Sequence, residues 1–380
     1  MKNFFIYTFG CKVNQYETQI IKQQFINNGY TYAESMESAD LVIINSCTVT
    51  EQSDRQCKSL INKLLSKKIE IILTGCYAKI SKEKISKEFP EVRIRLKDDL
   101  LNNTSQVIKS FDNHSRAFIK IQDGCNSFCS YCIVPYARNI MWSKPIQDII
   151  NEISFLLDNG YTEIVLTGIH LGKYDNGIAN LLKHIFSAIN KNFRIRLSSV
   201  EMNEVDKNLI DLMKNESVRL CNHLHIPAQS GSDNVLKQMN RKYSISDFNK
   251  TLDMLKNSIE GISITTDIIC GFPNETENDF NDTYKFLKEN KFSRLHVFPY
   301  SNRKGTKAYE MKQITGQSEI NQRVSKLLEL DILLRNEFFS KFTGTTRKAV
   351  ALRGNQALTD NYLTIKNIRH QKGIFDVVIK

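Results

Sequence analysis

Short apolar runs alternate with longer stretches of helical period along most of the chain. Phe4-Phe-Ile-Tyr-Thr8 reads as a strand, and Tyr16 to Asn28 as an amphipathic helix that stops at Gly29. Leu41-Val-Ile-Ile-Asn45 reads as a second strand, followed by a helix over about Glu51 to Ser66. Ile69-Glu-Ile-Ile-Leu73 reads as a third, followed by a lysine-rich helix from Ser81 to Phe89. Such alternation is the pattern of βαβ units and predicts a parallel sheet. The polar run Ser110-Phe-Asp-Asn-His-Ser115 breaks it and reads as a linker. Strand-then-helix then recurs six times, with strands expected over Phe118–Gln122, Glu163–Leu166, Ile195–Ser198, His223–Ile226, Ser263–Ile268 and Arg294–Phe298. Six such units predict an incomplete parallel barrel with its chemistry at the carboxyl-end mouth. The last forty residues change to short β-branched runs, Lys348–Leu352, Tyr362–Asn367 and Ile374–Ile379, which predict a small β-barrel. The expected class is α/β in three parts: an N-terminal open parallel sheet (1–112), a central partial (β/α)6 barrel (113–339) and a small C-terminal β-barrel (340–380).

The cysteines fall at telling points in this pattern. Cys125, Cys129 and Cys132 form a C-x-x-x-C-x-x-C loop directly after the first barrel strand. So short a loop can aim three thiolates at one centre but supplies no fourth, which leaves one iron of a [4Fe–4S] cluster open to a small molecule. Structural zinc wants four ligands, usually in two C-x-x-C pairs, and no second pair lies nearby. Cys11, Cys47 and Cys76 each lie just past the end of one N-terminal strand. In an open parallel sheet those ends share one edge, where ligands gather. Singly, each reads as a small buried hydrophobe; together they predict a second tri-cysteine site. Cys57, Cys221 and Cys270 read as packing residues.

Composition narrows the classes. A chain of 380 residues with 24% charged and 41% hydrophobic residues is globular rather than disordered. Nine cysteines without a recognisable secretory opening do not read as a disulfide framework, and no apolar run approaches a membrane span, so the expected location is the reducing cytoplasm. The net charge of +11 points to a polyanionic partner. Residues 341–380 carry eight Lys or Arg against two Asp or Glu, a net of +6. Lys348, Arg353 and Arg369 are the candidate phosphate contacts, with Tyr362 and Phe375 as candidate stacking residues.

With both trios in view, the chain resembles the radical S-adenosylmethionine (SAM) methylthiotransferases over essentially its whole length. The matching stretches are Thr8-Phe-Gly-Cys-Lys-Val-Asn-Gln-Tyr-Glu17, Asn45-Ser-Cys-Thr-Val49, Thr74-Gly-Cys-Tyr-Ala78, Gln122 to Cys132, Arg196-Leu-Ser-Ser-Val-Glu201, His223-Leu-His-Ile-Pro-Ala-Gln-Ser-Gly231, Thr266-Asp-Ile-Ile-Cys-Gly-Phe-Pro273 and His296-Val-Phe-Pro-Tyr-Ser301. The opening resembles the branch acting on N6-threonylcarbamoyladenosine beside the tRNA anticodon, rather than the isopentenyladenosine or ribosomal-protein branches. The resemblance implies an N-terminal tri-cysteine domain, a radical SAM barrel and a C-terminal RNA-binding TRAM domain. It implies two [4Fe–4S] clusters, held by Cys125, Cys129 and Cys132 and by Cys11, Cys47 and Cys76, together with SAM. One SAM methylates a sulfur carried on the auxiliary cluster, a second yields the radical that activates adenine C2, and the methylthio group replaces hydrogen there. Tyr131, Gly168, Glu201 and Gln229 are the expected SAM-side contacts, with His225 near them. tRNA, an electron donor such as a reductase and a sulfur source are the implied partners, with no membrane. The chain departs from the family pattern at Asn139, where relatives tend to have Gly, at Ile140-Met-Trp-Ser143, where they tend to be more basic, at Met202, Asn222 and Asn274, and in its short C-terminal segment.

Overall fold

The computed structural model describes residues 2–101, 108, 111, 116–368 and 371–380. The N-terminal part alternates as its apolar pattern requires: β1 (Asn3–Thr8), α1 (Lys12–Asn27), β2 (Thr31–Tyr32), β3 (Leu41–Ser46), α2 (Glu51–Ser66), β4 (Glu70–Gly75), α3 (Cys76–Ile80), α4 (Lys82–Glu88), β5 (Arg93–Ile94) and α5 (Lys97–Leu101). The strands form one parallel sheet in the order β2-β1-β3-β4-β5. Strand β3 is buried throughout and divides its side chains between two cores. Val42 and Ile44 pack with Ile61, Leu64 and Leu73 on one face, while Leu41 and Ile43 pack with Phe4, Ile21 and Phe25 on the other. Helix α2 starts where Thr50 accepts the Ser53 N–H, with Glu51 and Asp54 complementing the helix dipole.

The barrel comprises β6 (Ala117–Lys120), the short pair β7 (Gln122–Asp123) and β8 (Trp142–Ser143) around α6 (Val134–Ala137), then α7 (Ile146–Asp158), β9 (Glu163–Thr167), α8 (Ile178–Ala188), β10 (Arg194–Leu197), α9 (Lys207–Asn215), β11 (His223–His225), α10 (Asp233–Gln238), α11 (Ile245–Ser258), β12 (Ser263–Cys270), α12 (Glu277–Asn290), β13 (Arg294–Pro299) and α13 (Gln317–Ser340). Two parallel sheets, β6-β9-β10 and β11-β12-β13, are joined by bridges at Ile195–Leu220 and Ser199–His225. These are the six expected strands in the expected order. One continuous core fills the barrel and takes in Tyr16 and Ile20, so α1 packs on both the sheet and the barrel. Most of the expected linker at 110–115 lies outside the described residues; Phe111, within it, is buried in that barrel core.

The C-terminal segment is a small all-β unit as expected, but among the described residues its strands do not close into a barrel. It forms an open antiparallel sheet in the order β16-β15-β14-β17, from β14 (Thr346–Leu352), β15 (Gln356–Thr359), β16 (Thr364–Lys366) and β17 (Ile374–Val378). Strand β15 was not expected, because Gln-Ala-Leu-Thr holds a single β-branched residue and is not strongly apolar. Four short strands are too few to close on themselves. Phe338 and Phe342, at the end of α13 and just past it, cover Ala349, Ala351, Ile365 and Val377 instead.

Candidate iron–sulfur centre

The loops after β1, β3 and β4 place Cys11, Cys47 and Cys76 on one rim, as their chain positions require. Cys11 precedes the first turn of α1, Cys47 is buried after β3, and Cys76 opens α3. Two glycines permit the approach. A Cβ on Gly10 would stand 2.8 Å from the Cys47 sulfur, and one on Gly75 would stand 2.3 Å from the Ser46 carbonyl. Both adopt positive φ, which any other residue would find strained. Burial raises the Cys47 thiol, and the neighbouring Cys11 and Cys76 add to the rise.

Cys125, Cys129 and Cys132 lie in the loop between β7 and α6, at the barrel mouth. Gly124 is the hinge, since a Cβ there would meet the Ile140 carbonyl at 2.1 Å. Burial alone would raise the Cys125 thiol, but hydrogen bonds from His170 (3.5 Å) and Ser127 hold it below its ordinary value. Burial pushes Cys132 up to about 12, aided by Cys129 and Cys125. Arg241 donates to Cys129 at 3.5 Å and is itself held by Glu201 and by the Pro227 carbonyl at 3.2 Å.

The two trios meet through α1 and Arg138. The Arg138 carbonyl accepts the Cys125 N–H at 3.2 Å, and its Nε points to the Cys76 sulfur at 3.4 Å. The same guanidinium donates to Glu17 at 3.0 Å, Asp123 at 2.8 Å and Asn14 at 2.9 Å. Asn14 in turn donates to the carbonyls of Phe9 and Ser46, at 2.8 and 3.1 Å, beside Cys11 and Cys47. On the opposite side of the rim, Arg303 reaches Thr48 at 2.7 Å and Asp54 at 2.6 Å. A cavity of about 120 Å³ opens beside Cys76, lined by Glu17, Lys97, Lys120, Asp123 and Arg138.

Residues 3–96 match a family described as uncharacterized protein family UPF0004, and residues 119–287 match the Radical SAM superfamily. The chain is 39% identical over 370 residues to the threonylcarbamoyladenosine tRNA methylthiotransferase MtaB of Bacillus subtilis (strain 168), covering 88% of this chain and 82% of that protein. The chain belongs to the radical SAM methylthiotransferase family. Its likeness to the Aquifex aeolicus (strain VF5) methylthiotransferase of the same name is 34% identity, covering 94% of this chain and 95% of that one. It is also 34% identical to the tRNA-2-methylthio-N(6)-dimethylallyladenosine synthase of Clostridium tetani (strain Massachusetts / E88), over 86% and 80% of the two chains. A solved radical SAM methyltransferase, TsrM from Kitasatospora setae, shares the fold at TM-score 0.59 and 12% identity, over 78% and 75% of the chains.

Family membership implies SAM and a [4Fe–4S] cluster, and the methylthiotransferase loop fits that donor set. All nine cysteines are free thiols, and Cys125 is held toward its thiolate form. Among the described residues no three His, Cys, Asp or Glu side chains surround a point tightly enough for a single metal ion. A four-iron cluster spaces its thiolates more widely than one ion does.

The other expected contacts are distributed around this methylthiotransferase mouth. Tyr131, between Cys129 and Cys132, packs beside Val235, Met239 and Phe272. Gly168 ends β9 against Gln122, where a Cβ would come within 3.0 Å. Glu201 is committed to Arg241. Gln229, at φ 69°, bonds through its backbone to Asp267 and Ile269 of β12. His225 bonds Thr265 at 2.9 Å and lies 3.3 Å from Asp267. Lys348 and Arg353 are exposed on the C-terminal sheet, and Arg369 lies outside the described residues. Two stacking candidates are corrected: Phe375 is buried in the core of that sheet, and Tyr362 stacks on His223, ring centroids 4.1 Å apart. Sequence reasoning missed Arg138, His170, Arg241 and Arg303. The signal for Arg138 was present in Asn14 and Glu17, polar residues spaced i,i+3 on the buried face of α1.

Proposed function

We propose that the chain transfers a methylthio group to C2 of N6-threonylcarbamoyladenosine next to the anticodon in tRNA. The juxtaposition of two tri-cysteine rims at one barrel mouth carries this reading, supported by the name of the Bacillus subtilis relative. On this reading Cys125, Cys129 and Cys132 hold one [4Fe–4S] cluster, and Cys11, Cys47 and Cys76 hold a second, auxiliary one. When bound, SAM and these clusters supply the radical that an unactivated aromatic carbon requires and the sulfur it receives. The chain's own residues orient and enclose. Gly10, Gly75 and Gly124 let the thiol-bearing loops approach, His170 and Arg241 fix Cys125 and Cys129, and Tyr131, Gly168, Glu201 and Gln229 shape the SAM side. Lys348, Arg353 and Arg369 are the proposed phosphate contacts. The reaction draws on an external electron donor and sulfur source, and suits a reducing cytoplasm. The chain divides at about 112 and 339 into auxiliary-cluster, radical SAM and RNA-binding parts, each long enough to bury some core of its own.

Nucleoside mass spectrometry of tRNA from cells lacking the gene tests the substrate. Loss of only the 2-methylthio-threonylcarbamoyl nucleoside is expected. Loss of the isopentenyl counterpart would move the chain to the branch of the Clostridium tetani relative, and an unchanged profile would reject tRNA. In vitro, Cys47→Ala is expected to abolish sulfur insertion while 5′-deoxyadenosine still forms from SAM.

A further inference from the structure

Arg138 is hydrogen-bonded to both cysteine trios, and its surroundings are built to hold it still. Its side chain is buried among two carboxylates, Glu17 and Asp123, and the side-chain amide oxygen of Asn14. Lys97 and Lys120 share those carboxylates, so Arg138 is not needed merely to neutralise Glu17. One Arg138 nitrogen, Nε, is left for the Cys76 sulfur at 3.4 Å. Asn14 carries the same geometry onward, bonding the carbonyls of Phe9, two residues before Cys11, and of Ser46, next to Cys47.

We propose that Arg138, clamped by Asn14 and Glu17, is a positioning residue that sets the auxiliary site: it donates a hydrogen bond to the Cys76 sulfur and fixes that site's register against the Cys125 loop. The proposal rests on the two-cluster reading above. A planar guanidinium can serve two carboxylates, an amide oxygen and a sulfur at once, because its donors point outward from one rigid plane. An ammonium cannot. A donor on a ligating sulfur also stabilises the more negative, reduced form of an iron–sulfur centre, so Arg138 raises the auxiliary potential. The carbonyl that accepts the Cys125 N–H is backbone and survives substitution.

The test is an EPR-monitored redox titration of the full-length, anaerobically reconstituted protein. SAM assigns the signals, since only the Cys125–Cys129–Cys132 site is expected to respond to it. In Arg138→Lys the SAM-insensitive signal is expected to move to more negative potential while the SAM-sensitive one holds, with a 10–100-fold loss of methylthio transfer. Asn14→Ala, which keeps Arg138 and the local charge but loosens the clamp, is expected to move the same signal in the same direction by less. An unmoved SAM-insensitive signal in both variants, or a shift confined to the SAM-sensitive signal, would overturn the role of Arg138. A single cluster signal in the unsubstituted protein would instead overturn the two-cluster reading on which it rests.

Discussion

The two ends of the barrel are closed by different means. At the mouth, the N-terminal sheet docks through loop residues and α1, with Arg138 and Arg303 as the buried links, and leaves a cleft beside Cys76. At the floor, where β9, β10 and β11 begin, the C-terminal sheet is latched by buried arginines, with clefts left on either side of them. Arg194 and Arg196 donate to the carbonyls of Lys348, Leu358, Thr359 and Asp360 while pairing with buried Glu163. Tyr362 completes the floor by stacking on His223 and lying over Arg196. The mouth cleft thus opens beside a cysteine, whereas the buried polar groups of the floor are committed to holding the C-terminal sheet. The basic excess of the last forty residues is also partly absorbed locally, Arg347 by Asp360 and Lys348 by Asp376. The proposed phosphate contacts Lys348 and Arg353 thus lie at the opposite end from the thiols, and an RNA reaching both would run along the barrel flank.

Breaking the floor should cost most. Glu163→Gln would leave Arg116, Arg194 and Arg196 facing an uncharged partner, two of them fully buried. Removing one partner of such a cluster costs about 3–5 kcal/mol, measurable by urea denaturation; a loss below about 1 kcal/mol would mean the latch is not structural. At the mouth, Arg303→Ala removes the bonds to Asp54 and Thr48 and should cost about 2–3 kcal/mol. That variant should lose methylthio transfer before it loses SAM cleavage, because its partner Thr48 directly follows Cys47. Acid should loosen the floor. Burial and Arg196 keep His223 well below its ordinary value, so its unfolded form takes a proton below about pH 6.5 that the folded form refuses. Arg196 and Arg194 overcome burial to hold Glu163 well below the carboxylate range, so its contribution is present above about pH 4.3 and fades as pH falls further. Each proton so gained on unfolding lowers stability by about 1.4 kcal/mol per pH unit, visible as faster amide exchange in β14–β17. The smallest effect is at the exposed face. Lys348→Ala breaks an exposed pair worth about 0–1 kcal/mol, and with Arg353→Ala should flatten the salt dependence of tRNA binding by about one unit of slope for each phosphate left without its cation. An unchanged slope would assign the C-terminal sheet to closure alone.

Much of this was legible in the residues. The six barrel strands and the three N-terminal strands announced themselves as apolar runs between helical segments, because parallel strands buried on both faces need continuous hydrophobic stretches. The cysteine placements followed from strand ends alone. What escaped was long-range pairing. Nothing local marks Arg138, separated by 121 residues from Glu17, or Arg303, separated by 255 from Thr48, as partners across a rim. Tyr362 and Phe375 misled for the same reason: an aromatic beside lysines looks like a stacking platform until the surface it covers is known. The open C-terminal sheet escaped because α13 supplies the apolar cover that a barrel would have supplied from its own strands.

The central claim is that two separate iron–sulfur centres face each other across this mouth. Iron and sulfide content with Mössbauer spectra, measured on the reconstituted protein and on Cys47→Ala and Cys129→Ala, addresses it most directly. Two [4Fe–4S] clusters are predicted in the unsubstituted chain, with each variant losing one and keeping the other. Full iron in Cys47→Ala, or a single cluster in the unsubstituted chain, would contradict it.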